Sequence, residues 1–246
     1  MRSVILFAVV VVSSCTPPVE PTPDAGRTID TSCGLDCEAQ QEYGLILDRC
    51  FEYSKSATQR ASPPDLGVYV RRVFTLEGDV PTIEVVYYRG GGNIAATDFF
   101  TLPDGALTLV RRSPTGATSL TYLQDNKVDG VTWLTSGAVV GARIETARDA
   151  RLGDDVTGTQ YRVDVVEAVA ADLNTVDAGV ETDGGIKLLF GETPAHYYDS
   201  QRVFVPGLGF VRLTPSAAIV QDVPHYLQSV RDIDRDAGTP TCGLGD

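Results

Sequence analysis

Residues able to do chemistry are few in this chain and stand far apart. Its two imidazoles are His196, in Ala195-His196-Tyr197-Tyr198-Asp199, and His225, which follows Pro224. A general base must lie within hydrogen-bond reach of the group it activates. Neither histidine sits in a Gly-x-Ser-x-Gly or His-Glu-x-x-His setting, and Gly90-Gly91-Gly92 is not followed by the Lys-Ser or Lys-Thr of a phosphate loop. Both histidines therefore read as surface residues. Carboxylates offer a second chemistry. Asp232-Ile233-Asp234-Arg235-Asp236 matches the first, third and fifth ligand places of a calcium loop, but Gly238 falls one place late and Gly243 occupies the twelfth place, where a bidentate Glu is needed. Asp125-Asn126-Lys127-Val128-Asp129-Gly130 places its Gly correctly but has Lys127 at the third ligand place and Ser136 at the twelfth. The first reads as a solvated acidic tail and the second as a hairpin turn. No metal and no cofactor is expected.

Those residues stand in a chain whose start determines how the rest is read. Arg2, an apolar run from Val4 to Val12, and Val12-Ser13-Ser14-Cys15 resemble the signal peptide and lipobox of bacterial lipoproteins. The run is about half of the ~20 residues a helix needs to cross a bilayer, so it reads as a removable signal core. The resemblance implies a mature chain beginning at an acylated Cys15, with the bilayer as its partner and the bacterial cell envelope, periplasm-facing or surface-exposed, as its location. Two or more acyl chains give stable anchoring where one is marginal. Thr16 to Gly26 contains four prolines and little to bury, the composition of a semi-rigid spacer. The expected organisation is a signal peptide over 1–14, a Pro-rich linker over 15–35, one β-rich domain over 36–230 and an acidic tail over 231–246.

Removing residues 1–14 takes Arg2 away and leaves 19 basic against 33 acidic residues, a formal charge of −14. Nucleic acid is a poor partner for that charge. Arg71-Arg72 and Arg111-Arg112 lie in strand-like runs, where one member of each pair should point outward, and both pairs read as solvated strand faces. With Cys15 lipidated, Cys33, Cys37, Cys50 and Cys242 remain, an even number that in an oxidising envelope implies two disulfides among three possible pairings. The favoured pairing joins Cys37 to Cys50 and Cys33 to Cys242. Zinc held by Cys33-x-x-x-Cys37 is the alternative, and the distance of both histidines argues against it.

From Glu42 the periodicity is 2 for about 170 residues. Strands are expected at Leu45–Tyr53, Val68–Glu77, Thr82–Arg89, Ala95–Leu102, Ala106–Arg112, Ser119–Gln124, Gly130–Thr135, Val139–Thr146, Tyr161–Glu167, Ile186–Phe190, Arg202–Pro206 and Phe210–Thr214. Val68, Val70, Phe74 and Leu76 form one face of the second, and Tyr161, Val163 and Val165 one face of the ninth, with Val166 breaking the alternation. Glu77-Gly78-Asp79, Gly90 to Asn93, Pro103-Asp104-Gly105, Asp129-Gly130 and Asp183-Gly184-Gly185 supply turn chemistry. Short helices are expected at Asp36–Glu42 and Val223–Val230.

The stretch from Val156 to about Thr214, with its hairpin Val203-Phe204-Val205-Pro206-Gly207-Leu208-Gly209-Phe210-Val211, resembles the back half of envelope proteins with curved half-barrel sheets, distantly like the Lol-type lipoprotein carriers. The fold class expected is mainly β: an antiparallel meander forming a curved half-barrel or a sandwich, with few short helices. An incompletely covered sheet would leave Phe99, Phe100, Trp133, Tyr161, Phe190 and Phe204 lining a groove for an acyl chain or an apolar segment of a partner. The first functional reading is a non-enzymatic binding module for a hydrophobic ligand or envelope protein. A structural or adhesive surface component comes second and a hydrolase third.

Overall fold

In the computed structural model, residues 32–246 form one compact unit, and the structure describes residues 35–169, 185–193, 201–214, 223–233 and 242. Cys15, Cys33, His196, the Pro-rich segment, the turn at Asp183 and most of the acidic tail lie outside the described residues.

The fold is mainly β and antiparallel, as the alternation implies. One helix, α1 (Cys37–Glu42), precedes β1 (Arg49–Ser54), β2 (Leu66–Leu76), β3 (Val80–Arg89), β4 (Asn93–Thr101) and β5 (Leu107–Pro114). Then come β6 (Leu120–Gln124), the two-residue β7 (Lys127–Val128), β8 (Val131–Leu134), β9 (Arg143–Leu152) and β10 (Asp155–Val169). The chain ends in β11 (Gly185–Thr193), β12 (Gln201–Val205), β13 (Gly209–Thr214) and β14 (His225–Asp232).

These strands pair in chain order, and the meander returns on itself because β14 pairs with β1 over the register Arg49↔Asp232 to Ser54↔Tyr226. Leaving β7 and β8 aside, twelve strands make a closed ring. This corrects the expected half-barrel or sandwich. The cause is the segment Val223–Val230, expected as a helix: it is the strand β14, whose Leu227 is buried and whose backbone is taken by β1 on one side and β13 on the other. Ladder bonds along both edges override a weak local preference.

β6 and β8 share one lane of the wall. β5 pairs with β6 through Arg111↔Thr121 and Arg112↔Leu120, and with β8 through Leu109↔Val131 to Leu107↔Leu134. Between them the chain makes an excursion around Asp125 and Asn126, both at positive φ, so this segment is a hairpin turn as expected. It re-enters the wall at Gly130, where a Cβ would press on Thr108 Cγ2 at 2.6 Å and the Leu109 carbonyl at 3.0 Å. The β12–β13 turn also follows expectation: Pro206 leads, Gly207 takes φ +78°, and the Leu208 amide donates to the Val205 carbonyl.

α1 forms where Asp36 caps it, accepting from the Ala39 amide at 3.1 Å. Its buried Gln40 donates to the Leu45 carbonyl, and the Glu42 carbonyl accepts from the Gly207 amide. The helix is thereby fixed to the β12–β13 turn at one end of the ring.

Polarity across the wall is mostly apolar inside, with Asp98, Arg112 and Arg202 as buried charged exceptions, and charged outside. Arg143, Arg162, Asp164, Lys187 and Glu167 pair on the outer face of β9, β10 and β11. A barrel facing lipid needs the reverse. No helix among the described residues is long and apolar enough to cross a membrane.

The disulfide joins Cys50 to Cys242, 192 residues apart, which corrects the expected pairing of Cys37 with Cys50 and of Cys33 with Cys242. Cys50 lies on the outer face of β1, buried against Tyr69 with Tyr88 and Ile233 beside it, whereas Cys37 begins α1 and is an exposed free thiol. Cross-linking so long a loop stabilises by roughly 2–5 kcal/mol. Native protein should therefore alkylate at Cys37 but at neither Cys50 nor Cys242. Cys50→Ser should lower the unfolding free energy by about that amount in a urea titration.

Candidate functional site

Alternation brings Phe51 and Tyr53 of β1, Val68 and Val70 of β2, Val85 and Tyr87 of β3 and Phe100 of β4 onto the inner wall. These residues surround a cavity with an enclosed space of about 30 Å³. Tyr43, Gly44 and Leu45 roof it, and Arg202, Phe210 and Leu213 complete the lining. The roof is fixed: Tyr43 Oη donates to the Gly105 carbonyl at 2.8 Å, and a Cβ on Gly44 would overlap the Leu208 carbonyl. Tyr53 Oη donates to the Phe210 carbonyl at 2.7 Å. Burial pushes the phenols of both Tyr43 and Tyr53 far above their ordinary range, with the neighbouring Glu42 adding to the effect at Tyr43. Neither ionises at neutral pH.

Beside the cavity stands Trp133 of β8, fully buried. Its ring lies 5.0 Å from those of both Phe100 and Phe190, 6.4 Å from Phe210, and stacks on Tyr161 at 6.3 Å. Two guanidinium groups approach the same ring, Arg202 at 4.4 Å and Arg112 at 5.4 Å. Desolvated cation–π contacts of this kind are worth about 2 kcal/mol. Arg112 also forms a bidentate pair with Asp98, at 2.8 and 2.7 Å, and both side chains are excluded from solvent.

Five of the six groove candidates, Phe100, Trp133, Tyr161, Phe190 and Phe204, thus meet inside the barrel. Phe99 does not: it faces outward and packs on Phe74 at 5.9 Å. Of the six, Phe100 alone touches the cavity. Its other walls escaped the sequence reading, although Phe51 and Tyr53, like Arg202 and Phe204, share strand parity.

Parity also fails where bulges intervene. In β5 the register shift between Phe99 and Phe100 of its partner β4 makes Val110 the extra residue. Arg111 therefore points outward while Arg112 turns in, which corrects the reading of Arg112 as solvated. In β2 the shift at Arg71 sends Arg71 and Arg72 to one outer face, where both pair with Glu84. The same shift turns Phe74 outward, against the expected face, and it is 38 % exposed. The shift between Val165 and Glu167 makes Val166 the extra residue of β10, which accounts for its break in alternation.

His225, expected at the surface, is fully buried. Its Nδ1 lies 2.9 Å from the Val223 carbonyl. Burial lowers its pKa, opposed by that hydrogen bond and by Asp65. No group of three or more His, Cys, Asp or Glu among the described residues is arranged to hold a metal ion. Comparison with family models, with curated proteins and with solved structures gave no match.

Two stability tests follow from these buried groups. Asp98→Ala strands the Arg112 guanidinium in the core and should cost about 3–5 kcal/mol, whereas Asp98→Leu combined with Arg112→Met should cost much less; urea unfolding separates the two. For His225 the folded pKa lies below the unfolded value near 6.5, so below that pH the unfolded chain takes up a proton that the native state refuses. Its contribution is constant above about pH 7.5 and falls as the solution is acidified through the unfolded pKa. The loss in urea midpoint between pH 7.5 and 5.5 should be smaller in His225→Gln than in the parent chain.

Proposed function

We propose that this chain is a lipoprotein of the bacterial cell envelope, anchored through acylated Cys15, whose barrel acts by binding rather than by catalysis. Its ligand is a small apolar molecule, or an apolar side-chain group of an envelope partner, seated beneath Tyr43, Gly44 and Leu45. The observation that carries this reading is the lining of the cavity, which is aromatic and aliphatic with a few polar groups at fixed positions; its enclosed space is about 30 Å³, so a ligand would enter by moving wall side chains aside. The negative overall charge argues against nucleic acid as a partner.

The distant likeness to Lol-type carriers is narrowed by ring closure. A groove able to shelter several acyl chains needs an open concave face, and here that space is occupied by Trp133, Tyr161, Phe190 and Phe204. The ligand favoured is therefore no larger than one short chain or a ring system. A second reading, a tethered display or adhesive module, draws support from the same filling of the interior.

The anchor is tested by Cys15→Ser, which should move the protein from the detergent phase to the aqueous phase. The binding reading is tested with the apolar dye N-phenylnaphthylamine. The parent protein should bind it at one site and enhance its fluorescence, and Val70→Phe, which fills the cavity, should weaken binding at least about tenfold while shifting stability by ~1–3 kcal/mol. A parent protein that leaves the dye dark and yields no extractable lipid would instead favour the display module.

A further inference from the structure

Neighbouring strands around the ring share backbone ladders, but the ladder between the β6/β8 lane and β9 covers only part of its length. In the β6/β8 lane, β6 pairs with β9 through Leu120↔Leu152 to Leu123↔Asp149, but β8, which continues that lane, shares no backbone ladder with β9 among the described residues. What joins them is side-chain contact: the Thr132 amide donates to Thr146 Oγ1 at 3.3 Å, and Arg148 of β9 pairs with Asp129 just ahead of β8. Over 143–147, then, β9 is held by backbone pairing to β10 alone.

We propose that the barrel opens along this β8–β9 seam, and that Trp133 is the inner door between the seam and the cavity. The second half of this statement rests on the cavity being the binding site. Three observations converge. A seam held by side-chain contacts opens at lower free energy than one held by a backbone ladder. Trp133 lies on β8 itself and touches Phe100, Phe210 and Arg202, three residues of the cavity wall, so outward movement of β8 uncovers the cavity from the side. The Trp133 Nε1–H is buried without a hydrogen-bond partner among the described residues. Closing this door therefore costs the indole its hydration, a penalty that opening relieves. The loop joining the two strands carries Gly137 and Gly141 at positive φ and leaves Val139 exposed.

Amide hydrogen exchange on the full chain tests the seam without any ligand. Amides of 131–134 and 143–147 should exchange well before those of β3 and β4. Thr146→Val, which keeps the shape and removes the hydroxyl, should speed exchange at Thr132 about fivefold, and Thr146→Ser should restore it. Exchange at these amides as slow as in β3, and unaltered by Thr146→Val, would overturn the seam. Stopped-flow mixing with N-phenylnaphthylamine tests the route: the association rate should rise in Thr146→Val with little change in the mutant's affinity. An unchanged rate in a variant whose seam exchanges faster would overturn the route through Trp133. Absence of dye binding in the parent would overturn the cavity reading and with it the route, and the exchange result would still decide whether the seam opens.

Discussion

The pairing of β14 with β1 is the contact on which the rest depends. It joins residues as far apart as Arg49 and Asp232, 183 positions along the chain, and a guanidinium–carboxylate contact at 3.1 Å marks its end. Without it the meander has two free edges and an apolar concave face. With it, every inner side chain gains neighbours across the ring, and the core runs unbroken from Phe51 through Phe100 and Trp133 to Phe204. The loop-closure entropy of so distant a contact is large only logarithmically, and the Cys50–Cys242 disulfide beside it lowers the entropy of the unfolded chain.

Within the closed ring, single-residue bulges decide what the interior contains. Along β5, strict alternation from Leu107 and Leu109 would carry Arg111 inward; the extra residue Val110 puts Arg112 there, opposite Asp98. The opposite choice would leave Asp98 buried without its partner, which costs several kcal/mol. In β2 the same device brings two arginines onto the one carboxylate of Glu84. Bulges here act as selectors of charge placement.

Much of the strand layout is legible in sequence, because β-branched and aromatic residues alternate between Gly, Asp and Asn turns, and the helix expected over Asp36–Glu42 is α1. Closure was not legible. His225 to Asp232 has mixed polarity, since its buried face includes His225 and Gln228 as well as Leu227, so its period of 2 is hidden until both neighbours are present. Reading that strand as a helix leaves the ring unclosed, so that a half-barrel or a sandwich is expected instead. Bulges are equally silent in sequence, which is why Phe74 and Arg112 were assigned to the wrong faces while Tyr161, Val163 and Val165, ahead of their bulge, were assigned correctly. The aromatic members of the interior could be nominated from strand parity, but the cavity wall combines residues from strands at opposite ends of the chain.

Because the last described strand completes the ring, length is not a graded property of this domain. A chain ending before residue 225 would not be a barrel lacking one stave. It would be an open sheet whose β1 and β13 both present bare N–H and C=O groups, and each edge is complementary to the other on a second copy. Such a chain has a ready way to satisfy itself, by joining head to tail into a ribbon of sheets. The outermost strand in sequence is thus also the element that keeps the protein a discrete particle.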